Sequence, residues 1–226
     1  MREFNLLGEY PSPEKPRYVG SDLRTINHRI VATHRDKDFF DGNRNYGYGG
    51  FKYDGRWKKI AKKIANEYNL DNKSSFLQLG CEKGFLLHDL KNILPNLKIH
   101  GLETSDYAVK NSMEDVRKYI SKTKNYINLE YEDNKFDFIL ALGVVYTLNL
   151  SEAIQCLKEI QRISKGKSFV TLASYETIQD YWLFRQWTLL GTTILLKNDW
   201  IEVLNHANYT GDYYFTNAKS LSLKKK

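Results

Sequence analysis

Hydrophobic and polar positions repeat along the chain with two periods that follow one another in turn. Five short apolar runs predict β-strands, near residues 76–79, 98–102, 124–127, 137–142 and 167–173. Amphipathic segments between them predict helices, near residues 84–94, 106–119 and 151–164. Strands that alternate with helices are joined by right-handed crossovers into a parallel sheet. The pattern therefore predicts an α/β fold with a doubly wound sheet.

The segments on either side of this region predict further elements. Three prolines among residues 1–20 indicate an extended arm, and Ser21 is a typical helix N-cap. In the helix that would follow, Ile26 and Ile30 are expected on one buried face. The remaining predicted elements are helices near residues 57–68, 177–189 and 198–207, an apolar run at 193–196 and a strand near 212–216.

A glycine turn follows the first strand of the α/β region. Residues 76–79 lead into Gly80-Cys81-Glu82-Lys83-Gly84, and a helix is predicted directly afterwards. The next strand ends at Glu103, about 20 positions beyond Gly84, which is the spacing expected of a βαβ nucleotide site. Glycine lets the backbone turn sharply and pass close to a ligand. The turn therefore predicts a nucleotide-type ligand at this end of the strands.

The turn resembles the first motif of the class I S-adenosylmethionine (SAM)-dependent methyltransferases, which reads roughly L-D-x-G-C-G-x-G. The resemblance implies a Rossmann-like sheet of about seven strands closed by an antiparallel hairpin, with SAM as cofactor and S-adenosylhomocysteine as product. Glu103 would accept hydrogen bonds from the ribose hydroxyls. Residues 129–137 are similar to the family's L-P-F-x-D-x-x-F-D, which would place Asn125 at the adenine amino group. The residues that the resemblance assigns to the cofactor are Gly80, Cys81, Glu82, Gly84, Glu103, Asn125, Tyr126 and Gly143.

Two residues depart from the family motif. Gln78 stands where an acid is usual, and its neutral amide cannot form an ion pair with the ammonium group of the ligand. Glu82 stands where the second glycine is usual, and it adds bulk and negative charge beside the ligand unless it points outward. A fold that has lost methyl transfer is therefore one of the hypotheses.

The ends of the fourth and fifth strands predict the acceptor side of the site. Ligands of an open α/β sheet bind outside the carboxyl ends of the strands. Tyr146, Tyr175 and Glu176 are thus the candidate catalytic residues, with Glu176 as the candidate base. Tyr146 also suits a core aromatic, and Glu176 also suits an acid at a helix N-terminus. Arg185, in the following helix, is expected to contact the substrate.

A segment rich in glycine and tyrosine, residues 45–57, precedes the glycine turn, and we call it the lid segment. Tyr46, Tyr48, Tyr53 and Arg56 are the candidate substrate-binding residues here, because tyrosines supply contact area and arginine can clamp a carboxylate or phosphate. The pattern G-Y-G-G-F-K-Y-D-G-R-W resembles methyltransferases of bacterial surface polysaccharides and the ovothiol-type N-methyltransferase. We expect residues 1–56 to form an arm, a helix and this lid, and residues 57–226 to form the methyltransferase domain.

Charge and cysteine content restrict the class of protein. The formal net charge is +7, to which the tail Lys224-Lys225-Lys226, expected to be frayed, contributes. Such a charge suits an anionic acceptor or a nucleic acid, but no separate RNA-binding module is visible. Cys81 and Cys156 have neither disulfide nor metal-ligand spacing, and no apolar run is long enough for a membrane span. We expect a cytoplasmic protein without a metal site.

The leading hypothesis is an enzyme that moves the SAM methyl group to a small polar acceptor. We expect O-methylation of a precursor of a bacterial surface polysaccharide (capsule or lipopolysaccharide), phosphorylated or nucleotide-linked. Ovothiol-type imidazole N-methylation is the alternative, and methylation of RNA is a third hypothesis. The sequence leaves the oligomeric state open.

Overall fold

A computed structural model of the chain describes residues 1–11, 15–20, 22–48 and 52–226. Its strands are β1 (Arg17–Val19), β2 (Ser75–Leu79), β3 (Lys98–Glu103), β4 (Ile120–Lys122), β5 (Phe138–Ala141), β6 (Ser168–Tyr175), β7 (Leu195–Leu196), β8 (Asp212–Thr216) and β9 (Leu223–Lys225). Its α-helices are α1 (Ile26–Thr33), α2 (Lys37–Asp41), α3 (Lys58–Glu67), α4 (Phe85–Ile93), α5 (Asp106–Lys110), α6 (Leu150–Ile163), α7 (Ile178–Trp187) and α8 (Lys197–His206). Two short 3₁₀ turns lie at Arg117–Tyr119 and Val145–Thr147.

Seven strands form the main sheet, in the order β4-β3-β2-β5-β6-β7, with β8 also paired to β6. Every one of these pairings is parallel. The central strand β5 is buried along its whole length, as expected of a parallel strand covered by helices on both faces. The α/β class and the doubly wound sheet predicted from the sequence are confirmed.

Five of the described α-helices, α1, α2, α5, α6 and α7, begin at residues whose side chains cap them. In α6, the Asn149 side chain accepts a hydrogen bond from the Glu152 backbone N–H, and the Glu152 carboxylate accepts one from the Asn149 N–H. Such a reciprocal cap satisfies two backbone donors that the helix would otherwise leave unpaired. The opposite face of α6 buries Cys156, Leu157 and Ile160 against the sheet. The cap and the apolar stripe together fix where α6 lies.

Three predictions about the sheet and its connections are wrong. The third strand lies at Ile120–Lys122 and not near 124–127, and the helix predicted over 106–119 ends at Lys110. The closing strand β8 runs parallel to β6, so it does not form the antiparallel hairpin that the family resemblance implied. Helix α8 connects β7 to β8. It carries the chain back to the end of the sheet where β7 began, so β8 can run in the same direction as β7.

The N-terminal region also differs from the prediction. Ser21, the predicted helix cap, lies outside the described residues; α1 begins later, with Thr25 as its cap. Ile26 and Ile30 were expected to be buried, but they are 73% and 51% exposed because α1 lies on the surface and turns Ala32 inward. The lysine tail is not frayed, since β9 pairs with β1.

Candidate active site

A cavity of about 510 Å³ lies at the carboxyl ends of the central strands. Its floor is formed by Gly80 and Glu82 after β2, by Thr104 after β3 and by residues 142–144 after β5. Arg29 of α1, Arg35 just after α1, Arg185 of α7 and residues 189–192 cover it from the other side. Both the position and the volume are those of a small-molecule site in an open α/β sheet.

The glycine turn is close-packed, and this explains its residue types. Gly80 has φ +64°, and a Cβ added there would lie 2.7 Å from Val144 Cγ2. Gly84 has φ +75°, and a Cβ there would lie 2.7 Å from Ile120 Cδ1. Positive φ and these approaches both require glycine. Glu82 adopts φ +51° in the same turn without that freedom.

Glu103 is fully buried, and its carboxylate is held by protein groups. Its Oε1 accepts hydrogen bonds from the backbone N–H groups of Thr104 and Ser105, each at 2.9 Å, and from Arg35 Nη2 at 3.0 Å. Its Oε2 accepts one from the Glu82 N–H at 2.9 Å. Glu103 therefore lies at the end of β3 as predicted, but Arg35 covers it. Ribose hydroxyls reach this carboxylate only when Arg35 moves away.

Asn125 and Tyr126, assigned to adenine by the resemblance, both lie in the cavity wall. The Asn125 side-chain oxygen accepts hydrogen bonds from the N–H groups of Ile127 and Asn128, at 3.1 and 3.2 Å. An adenine amino group would have to compete with these two backbone donors for the oxygen. The Tyr126 side chain is buried near Glu103, and burial raises the pKa of its hydroxyl.

None of the three candidate catalytic residues is among the described residues that line the cavity. Glu176 forms an ion pair with Lys197 Nζ at 2.8 Å, its side chain is 63% exposed, and it does not line the cavity. Tyr175 packs against Tyr181, with ring centroids 5.2 Å apart. Tyr146 is nearest to the cavity, because its hydroxyl lies 3.6 Å from where a Gly143 Cβ would be. Burial raises the pKa of Tyr146, which disfavours the phenolate that a base would need.

The lid segment is described at both ends, whereas Gly49, Gly50 and Phe51 lie outside the described residues. Tyr48 reaches the cavity roof, where its hydroxyl accepts hydrogen bonds from the N–H groups of Leu189 and Leu190 at 2.9 and 3.1 Å. Tyr46 packs against His28, with ring centroids 5.6 Å apart. Its contact is with α1 and not with the cavity lining.

Tyr53 and Arg56, also predicted to bind substrate, lie away from this cavity. The Tyr53 hydroxyl donates to Asp89 Oδ1 at 2.6 Å, and burial together with this bond raises its pKa to about 12. Arg56 is paired with Asp54 and lines a separate cavity of about 360 Å³. The structure does not bring these two residues together with Arg185.

Sequence reasoning missed two arginines of the cavity, Arg29 and Arg35. Arg29 donates hydrogen bonds to the backbone oxygens of Thr188, Arg185 and Gln186, and so ties α1 to the end of α7. Burial, reinforced by the nearby charge of Arg185, lowers the pKa of Arg29. The sequence carried no signal for either residue, because both act across long chain separations.

Metal and thiol chemistry have no visible site in the part of the chain that the structure describes. No cluster of three or more histidine, cysteine, aspartate or glutamate side chains occurs there that could hold a metal ion. Cys81 and Cys156 are buried free thiols, and burial raises the pKa of both.

Among the described residues, no helix is both long and apolar enough to cross a membrane.

Comparison with known proteins places the fold. The sequence model of the family described as "Methyltransferase domain" matches residues 77–166. The [4+2]-cyclase SpnF is 21% identical with a TM-score of 0.52, over 66% of this chain and 57% of that one. YcgJ from Bacillus subtilis is 12% identical with a TM-score of 0.53, over 65% of this chain and 66% of that one. A methyltransferase from Bacillus halodurans, described as putative, is 12% identical with a TM-score of 0.52, over 65% of this chain and 67% of that one. No curated protein matches the chain.

The parallel sheet, the glycine turn and the region matched by the family model are features of the class I SAM-dependent methyltransferase fold. Residues 77–166 of this chain match the methyltransferase domain, a family whose members use SAM as cofactor. The matches to SpnF and YcgJ span less than two thirds of those chains. At such low identity they show the fold alone, and because SpnF is a cyclase, the fold does not determine the reaction.

The residues of the cavity fit SAM. Glycine at positions 80 and 143, each with positive φ, keeps the floor open to a ligand at the strand ends. The buried carboxylate of Glu103 ends β3, which is where a residue that binds the ribose hydroxyls is expected. The buried Gln78 side-chain oxygen has no partner in the described structure, but Gln78 does not line the cavity. Two features oppose the fit: Arg35 has to release Glu103, and the Asn125 oxygen is already bonded to two backbone N–H groups.

Proposed function

We propose that this chain transfers the methyl group of SAM to a small polar acceptor that carries negative charge. SAM, when bound, supplies a methyl carbon already activated by the sulfonium. The protein then has mainly to position the acceptor and exclude water, which can contribute several kcal/mol to lowering a barrier. A cavity without a catalytic triad is consistent with this task.

The observation that carries the proposal is the charge of the cavity roof. Arg29, Arg35, Arg185 and Lys124 line the cavity, against the carboxylates of Glu82 and Glu152. Arg185 donates one hydrogen bond, to the Gly191 backbone oxygen at 2.7 Å, and forms no ion pair with any described carboxylate. A guanidinium with free donors suits a phosphate or carboxylate, which it binds with two parallel hydrogen bonds.

Arg29 would position Arg185 for this role. Its hydrogen bonds to three backbone oxygens hold the last turn of α7 and the residue after it. Tyr48 holds the next two residues of the roof through its hydroxyl. The substrate contact predicted for Arg185 is thereby supported, whereas Arg56 is already neutralised by Asp54.

Among anionic acceptors we favour a phosphorylated or nucleotide-linked sugar, methylated on oxygen as a precursor of a bacterial surface polysaccharide. The resemblance of the lid segment and the basic roof support this acceptor. An ovothiol-type acceptor, a zwitterionic imidazole, would use the same arginine for its carboxylate and remains the second candidate. Neither acceptor requires Glu176, since that carboxylate is paired with Lys197 outside the cavity.

The test uses SAM carrying a radiolabelled methyl group, incubated with the full chain and a small-metabolite extract that is then separated by anion exchange. We expect label in an anionic sugar or nucleotide fraction. Arg185→Gln should raise the KM for that acceptor by about tenfold or more, with SAM affinity unchanged. Arg117→Gln, which removes a positive charge outside the cavity lining, is the matched control.

Each alternative gives a different result. Label in a zwitterionic imidazole fraction would favour the ovothiol-type reaction. Label only in RNA or protein would contradict a small acceptor. An equal rise in KM for Arg56→Gln and none for Arg185→Gln would move the anion site to the cavity beside the lid segment.

A further inference from the structure

The backbone holds Glu82 against the cavity. Its φ of +51° belongs to the glycine turn, and its N–H donates to Glu103 Oε2 at 2.9 Å. This φ and this bond fix the backbone of Glu82 at the cavity floor, from which the side chain extends. The sequence left open which way this side chain points, and the structure places it in the cavity lining, half-buried.

The Glu82 carboxylate has no partner in the described part of the chain. No described residue donates a hydrogen bond to it or forms an ion pair with it. The charged groups that face it are Arg35, Glu103 and Lys83. Both cations are engaged elsewhere, since Arg35 binds Glu103 and Lys83 Nζ binds both oxygens of Asp41 at 2.6 Å.

The other carboxylates at the cavity are already used. Glu152 caps α6 by accepting the Asn149 N–H. Glu103 is buried and accepts bonds on both of its oxygens. Among the described residues that line the cavity, Glu82 is thus the acid whose two carboxylate oxygens both lack a protein donor, whereas Glu152 has one oxygen engaged. A free carboxylate in a partly buried cavity is stabilised by a ligand that brings a positive charge with N–H donors.

We propose that Glu82 binds the α-ammonium group at the amino-acid end of SAM. The proposal rests on the proposed function, since it assumes that the cavity receives SAM. SAM carries two cationic groups, and of these the ammonium has N–H donors whereas the sulfonium has none. Glu82 would supply the negative charge that Gln78, a neutral and buried amide outside the cavity lining, cannot supply. The departure from glycine at position 82 would thus compensate the departure from an acid at position 78.

The assignment has a pH signature. Burial, with Glu103 adding to it and Arg35 opposing it, raises the pKa of Glu82 to about 7. Below that pH the carboxyl group is neutral and offers less attraction to an ammonium. SAM affinity should therefore strengthen as pH rises from about 6 to about 7.5, above which the α-ammonium of the ligand begins to lose its own proton. Binding should release a proton when measured near pH 7.

The experiment is isothermal titration of the full chain with three ligands: SAM, S-adenosylhomocysteine and 5′-methylthioadenosine, which lacks the amino-acid end. Glu82→Gln should weaken SAM and S-adenosylhomocysteine by about tenfold, leave 5′-methylthioadenosine unchanged and abolish the pH dependence. Glu82→Gly should do the same, and because glycine accepts the positive φ, this variant should fold at least as well. Glu202→Gln, an exposed acid on α8, is the matched control.

Four results would overturn the inference. Tighter SAM binding by Glu82→Gln would mean that the carboxylate repels the ligand. Weaker binding of SAM with unchanged binding of S-adenosylhomocysteine would assign Glu82 to the sulfonium, which only SAM carries. Unchanged affinities with a lower turnover number would make Glu82 a base for the acceptor. Absence of SAM binding by the wild-type chain would refute the proposed function as well, whereas the first three results leave that function intact.

Discussion

Replacement of Glu103 by glutamine tests the buried ion pair under the cavity. The carboxylate has no exposed area and accepts bonds from Arg35 and three backbone N–H groups. In Glu103→Gln, an NH₂ group replaces one oxygen. If this NH₂ group takes the place of Oε2, it faces the Glu82 N–H, and two donors then oppose each other. The Glu82 N–H loses its acceptor, which costs about 1–3 kcal/mol.

Loss of the negative charge adds a second cost. Removing one partner of a fully buried pair costs about 3–5 kcal/mol. The Arg35 side chain is 24% exposed, and the glutamine oxygen still accepts its hydrogen bond. Loss of the charge should therefore cost only about 1–2 kcal/mol of stability. We therefore expect the free energy of unfolding to fall by about 3 kcal/mol in total.

Urea unfolding followed by tryptophan fluorescence measures this loss. Glu132→Gln, at an exposed acid, is the control and should change stability by less than about 0.5 kcal/mol. Combining Glu103→Gln with Arg35→Met should cost less than the two single changes together, because each removes the same interaction. A loss below about 0.5 kcal/mol for Glu103→Gln, or strict additivity, would refute the buried pair.

Three further predictions concern the packing around the site. Gly101→Ala should destabilise the chain by about 1–3 kcal/mol in urea unfolding, because the new Cβ would lie 2.6 Å from Cys81 Sγ; an unchanged midpoint would contradict it. Tyr48→Phe leaves two backbone N–H groups of the cavity roof without their acceptor, so their hydrogen exchange should accelerate; unchanged rates would show that the hydroxyl does not hold the roof. Partial burial opposes ionisation of Asp137, but bonds from Lys165 and Ser75 prevail and lower its pKa to about 2. This carboxylate then stabilises the fold above the unfolded pKa of about 4 by about 1–2 kcal/mol after screening, and the advantage disappears as pH falls towards 2. The stability gap between wild type and Asp137→Asn should shrink over that range in urea unfolding, and a constant gap would refute the argument.

The strand–turn–helix unit around the glycine turn could be predicted because its signals are local. The apolar run of β2, the two glycines and the amphipathic α4 lie within twenty residues, and each favours the same structure. Gly80 and Gly84 have the positive φ that the turn requires. Periodicity and turn chemistry were sufficient here.

The third strand could not be placed in the same way. Between α5 and β5 the chain has little regular structure, and the short β4 is defined by its parallel pairing with β3. Ile120 is buried there by contact with Gly84 and Gly101. Tertiary contacts of this kind leave no period in the sequence, so the apolar residues near 124–127 gave a misleading signal.

Glu176 shows a similar limit in the site. Its place at the end of β6 was predicted, but the partner that neutralises it, Lys197, comes from α8. The ion pair forms because β7 pairs in parallel with β6 and sets Leu196 beside Tyr175, so that Lys197 lies next to Glu176. The exact path of the C-terminal elements therefore decided which carboxylate faces the cavity.

Arg35 connects the fold to the cofactor site and shows why neither can be derived from motifs alone. The residue follows α1, has φ +46° and reaches Glu103 across 68 positions of the chain. It stacks near Phe39 and Phe40, with its guanidinium carbon 5.2 and 5.5 Å from the ring centroids. A cation in this position neutralises a buried carboxylate that would otherwise be strongly destabilising. Ribose hydroxyls can donate hydrogen bonds to the same carboxylate only after Arg35 moves away. Cofactor binding and the position of the N-terminal region must therefore be coupled, whichever acceptor is methylated.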